Sequence, residues 1–128
     1  MTSFARNVLA GAGLALLVVP GVAIADGPQA IGLAAQHAGL AANAANINVV
    51  RTHLHHVLNC LVGPGGDGFD AMPGNPCAMA GGAIPQTANA EEKTKLLNVA
   101  QRIRTAISAP EMAEAKQVAT DTQNLVKK

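Results

Sequence analysis

The chain has 128 residues, nine Lys plus Arg against eight Asp plus Glu, four His, two Cys and 2% aromatic residues. A net charge of +1 spread this thinly, with two Phe and no Trp or Tyr, leaves no electrostatic footprint or stacking platform for nucleic acid, and no aromatic platform for sugars. A chain of this size supports one hydrophobic core of modest depth.

Residues 1–25 run from a basic start at Arg6 through an apolar stretch, Val8 to Val19, to Pro20 and then Ala23-Ile24-Ala25 before Asp26. That order is the pattern of a secretory signal peptide, and its apolar part is too short for a comfortable membrane span. The expected mature chain begins at Asp26, is periplasmic or secreted, and has no membrane association once the signal is cleaved. Without Arg6 it balances eight basic against eight acidic residues. A retained N-terminal anchor is the alternative. No Cys follows the cleavage site closely enough for a lipid anchor.

Residues 28–62 are rich in Ala and Leu, a helical composition, yet an unbroken helix of that length would reach about 50 Å. The expected break is Asn43-Ala44-Ala45-Asn46, because Asn caps helix ends well. Sliding the chain by 65 residues supports it, setting Ala35-Gln36 on Ala100-Gln101, Asn43 on Ser108, Ile47 on Met112, Arg51 on Lys116 and Asn59 on Asn124. In the second copy, Ser108-Ala109-Pro110-Glu111 reads as a turn with a Ser N-cap, an early proline and a capping-box Glu.

Four helices are thus expected, at 28–43, 46–62, 90–107 and 110–126. The first has Leu33, Leu40 and many Ala. The second carries Ile47, Val50, Leu54, Val57 and Leu61 as an apolar stripe. The third, opened by Asn89 with Glu92, offers Leu96, Ala100, Ile103 and Ile107, and the fourth Met112, Ala115, Ala119, Thr122 and Val126. Such stripes on short helices predict an all-α fold, an antiparallel four-helix bundle made of two helical hairpins in one domain, 26–128.

Residues 63–88 form a long connection holding seven Gly, four Pro and Phe69. Cys60 and Cys77 are the cysteines available in an oxidising compartment, and an intramolecular bond between them would tether the loop at roughly 3 kcal/mol in the chain-entropy model. An intermolecular bond or a metal-bound thiolate is the other possibility. Phe69, Met72 or Met79 is expected to tuck against the bundle.

Three of the four histidines lie in His53-Leu54-His55-His56. The core stripe divides them: His53, His56 and Cys60 form a second stripe facing the loop, and His55 is expected in solvent. With a turn near residue 45, His37 and His53 are each eight residues from it and meet at one height on neighbouring helices. His37, His53 and His56 therefore form the candidate metal site, with Met72 and Met79 as possible loop ligands. Neutral imidazole suits Cu, Zn, Ni and haem iron. The alternative is that these histidines only hydrogen-bond the loop and hold its shape.

Other chemistries find less support. The chain has no Gly-x-Ser-x-Gly elbow, no phosphate-binding Gly loop opening a helix and no pattern of paired carboxylates, so no enzymatic activity is expected. Asp67 and Asp70 lack the further oxygen donors of an EF-hand calcium loop. A haem-binding bundle would need an axial pair such as His53 with Met72 or His37, and the CxxCH attachment motif is absent.

In its signal peptide, paired hairpins and His37–His53 register, the chain resembles small exported His-bearing helical bundles such as the small metal-binding protein family. The segment from His53 to Pro64, with Gly68-Phe69-Asp70 and Asn75-Pro76-Cys77, also resembles a signature of uncharacterised exported bacterial proteins. The resemblance implies uptake of divalent metals such as copper. It departs from this chain in the cysteine pair, the long loop and a second hairpin without histidines, which limits the carry-over to one site at His37, His53 and His56. The leading expectation is an exported, non-enzymatic bundle binding a transition metal, copper first. A ligand-free structural or interaction module is the alternative, and a haem-binding bundle the third.

Overall fold

A computed structural model describes residues 27–126, so the expected signal segment lies outside the described residues. Within them the chain forms five helices and no strand: α1 Gly27–Asn43, α2 Ile47–Val62, α3 Ala83–Gln86, α4 Ala90–Ile107 and α5 Met112–Val126. None is long and apolar enough to cross a membrane.

The α1–α2 turn is built from asparagines. Asn43 Nδ2 donates to Gly39 O at 2.8 Å, covering a carbonyl of the last turn of α1, and Asn46 Oδ1 accepts from Val49 N at 3.0 Å to cap α2. Asn89 does the same for α4, accepting from Glu92 N at 2.9 Å. Ser108 behaves differently from the N-cap role expected of it. It sits in helical conformation as the C-cap of α4, its N–H bound to the carbonyls of Thr105 and Ala106, and α5 begins only at Met112.

The four long helices make a helical bundle in which α1 packs on α2 and α5, while α4 packs on α2 and α5. α2 is its centre. Val50, Leu54, Val57, Leu58 and the whole stretch Asn59 to Val62 are buried, and only Asn48, Val49 and Thr52 are exposed on it. α1 departs from expectation at Leu40 alone. Its core face is Ala30, Ala34, Ala35, Ala38 and Ala41, whereas Leu40 is exposed. Methyl side chains let α1 approach its neighbours closely, gaining contact rather than large buried area.

The 65-residue offset has a structural counterpart. It carries α1 and α2 onto 92–108 and 112–127, close to the observed α4 and α5. Two cross-links reciprocate under it: Arg51 Nη2 of α2 donates to Ala109 O at 2.9 Å, and Lys116 Nζ of α5 donates to Ala44 O at 3.1 Å. Each half thus supplies a cation to the interhelical turn of the other.

The long connection is ordered by its attachments. Cys60 and Cys77 are disulfide-bonded, and both are buried. At the neck, Gly63 takes φ of 71° and runs against Gly82 so closely that a Cβ on Gly82 would lie 2.5 Å from Gly63 N. Only glycine permits that crossing. α3, a four-residue helix within the connection, escapes sequence reading because Pro85 sits inside it and it is too short to show a period. Of the three residues offered for tucking against the bundle, Phe69 is the one that packs on the core, while Met72 and Met79 are 91% and 93% exposed.

Candidate metal centre

His37 comes from the middle of α1, and His53 and His56 from adjacent turns of α2. One ring nitrogen from each lies within 4.8 Å of the others. His37 Nδ1 is 3.1 Å from His53 Nδ1 and 3.2 Å from His56 Nδ1. Two nitrogens bound tetrahedrally at about 2.0 Å to one ion stand about 3.3 Å apart, so the two separations from His37 match a shared ion.

The third contact decides the chemistry of the cluster. His56 Nε2 lies 2.6 Å from the carbonyl oxygen of Pro73, a distance that requires Nε2 to carry the proton and donate it. In neutral His56 the Nδ1 lone pair then faces His37. A hydrogen on His37 Nδ1 satisfies that contact, but the same hydrogen is the only one available to the His37–His53 contact, since a second N–H there would oppose the first. No neutral tautomer gives each nitrogen contact its own hydrogen. A cation among the nitrogens removes the conflict.

The surroundings of His37 and His53 favour their neutral forms. Burial, followed by the charges of His56 and His53, lowers His37 from 6.5 to about 4. Burial and then His56 lower His53 as well. Neutral imidazole is the metal-ligating form, so these shifts ready His37 and His53 as donors.

The loop that supplies Pro73 is fastened from beneath by Asn59, which is fully buried. Its Nδ2 donates to Asp70 O at 2.6 Å and Gly74 O at 2.9 Å, and its Oδ1 accepts from Asp70 N at 3.0 Å. Gly74, at φ of 102°, lets the backbone turn beside the His56 ring, where a Cβ would sit 3.4 Å from Nε2. Asn59 was missed as a site residue in sequence reading. Its signal was available, a lone carboxamide within the apolar run Val57 to Val62, which demands partners.

Met72 and Met79, the possible loop ligands, present their side chains almost wholly to solvent. His55 is half-buried rather than in solvent, with Nδ1 enclosed and without a hydrogen-bond partner, because α2 is covered by helices on most sides. Cys60 and Cys77 are committed to their disulfide. A haem between His37 and His53 has no room, since axial ligands stand on opposite sides of the macrocycle and these nitrogens are in direct contact. No protein-family model matches the chain, and no curated protein or solved structure is significantly similar to it.

Proposed function

We propose that this is an exported, non-enzymatic helical bundle that binds one transition-metal ion, copper first, through His37, His53 and His56. The observation that carries the reading is the convergence of the three ring nitrogens, with His37 Nδ1 3.1 and 3.2 Å from its two partners. Imidazole donors accept copper, nickel and zinc, and the ordinary affinity series puts Cu(II) highest. The resemblance to small exported metal-binding bundles points the same way. Export is supported by the pattern of residues 1–25 and is compatible with the Cys60–Cys77 disulfide. For the architecture, the reading takes α1–α2 and α4–α5 as two antiparallel hairpins, each joined by a short turn.

Titration of Cu(II), Zn(II) and Ni(II) into the disulfide-intact mature chain tests this directly. One ion per chain is expected, with Cu(II) tightest, and His53→Ala and His56→Ala each losing most of the affinity. Equal, weak binding by all three proteins would overturn the reading.

A second reading is favoured by the His56–Pro73 hydrogen bond: the histidines hold the loop in shape and bind nothing. It predicts that His56→Ala lowers the melting temperature while added metal leaves that of the parent protein unchanged.

A further inference from the structure

The cluster has three nitrogen donors and, among the described residues, no Asp, Glu or Cys joins it. The nearby polar groups are already engaged. Asn59 spends both amide hydrogens and its oxygen on the loop backbone, and the Pro73 carbonyl takes the His56 proton. The thioethers of Met72 and Met79 stand in solvent. A tetrahedral ion held here has three of its four positions filled by the protein.

Charge specifies what fills the fourth. Three neutral imidazoles leave the full charge of a divalent ion uncompensated in a partly buried site. A small donor that brings negative charge relieves this, and half-buried rings leave it a route from solvent. Building on the metal reading above, we propose that the loaded site binds a small monodentate anion from solution as its fourth ligand, forming a ternary protein–metal–anion complex.

Cobalt(II) is the probe, because its visible bands report coordination number and ligand type. The mature protein is loaded with one Co(II) per chain and titrated with sodium azide. The expected result is a saturable shift of the bands, with a new charge-transfer absorption approaching one azide per cobalt. The bands are expected to be lost in His53→Ala. Cobalt bands that do not respond to a large excess of azide would overturn this inference alone, and a cobalt-dependent dimer in sedimentation would identify a second chain as the fourth donor. Absence of cobalt bands in the parent protein would overturn the metal reading and this inference with it.

Discussion

Two residues show most clearly how single side chains set the site. Asn59 is buried with all its hydrogen-bonding capacity used, so Asn59→Ala leaves the N–H and C=O of Asp70 and the C=O of Gly74 without their partner. Stranding such groups costs about 2–3 kcal/mol, read as a lower denaturation midpoint with an unchanged slope. His37 gives the second prediction. Its folded value of about 4 lies below the ordinary 6.5, so between those pH values the unfolded chain binds a proton that the folded chain refuses. Protons therefore favour unfolding: the metal-free protein is expected to be most stable above pH 6.5 and to lose stability as pH falls towards 4. His53, lowered for the same first cause, adds in the same direction. Thermal melts across this window check it, and His37→Gln should flatten the dependence. The meeting of His37, His53 and His56 was legible in sequence because helical register is local and the turn asparagines set the height of one helix against the next. The protonated nitrogen of His56 was not, since it depends on a loop carbonyl 17 residues away.

At the scale of elements, sequence periodicity located the long helices and the alanine content of α1, but not the exposure of Leu40. Leu33 packs partly buried against the core and Leu40 is exposed, because close packing against α2 and α5 selects the alanine face, where backbones can approach. The loop was legible as long and tethered, but its crossing at the neck was not, because glycine pairs carry no register. Two glycine replacements separate the reasons. Gly32 lies exposed within α1 and an added Cβ meets nothing within 4 Å, so Gly32→Ala should stabilise the fold by about 0.5–1 kcal/mol. Gly82 has an ordinary backbone, φ −101° and ψ 137°, so alanine there is harmed by its collision with the backbone of Val62 and Gly63 rather than by strain. Gly82→Ala should lower the melting temperature and loosen the loop, seen as faster amide exchange at Asp70 and Gly74.

The whole molecule explains why one half carries the cluster. The 65-residue offset that relates the two halves takes His37 to Arg102, His53 to Val118 and His56 to Asp121. In the first half His37 meets His56; in the second, Arg102 Nη2 meets Asp121 Oδ2 at 2.6 Å. The same place in the repeated unit therefore holds converging imidazoles in one copy and an ion pair in the other. The pair is about half exposed, so replacing it removes little stability. If position in the unit suffices to build the cluster, the triple substitution Arg102→His, Val118→His and Asp121→His should create a second site and raise bound Cu(II) from one to two per chain. Among the described residues, however, no connection after α5 offers a counterpart of the loop carbonyl that orients His56. Such outer partners are worth about 10- to 100-fold in metal affinity. The engineered site should accordingly be the weaker by that order, appearing as a second, separate step in the titration. Two steps of equal affinity would show that the tethered loop contributes nothing to binding.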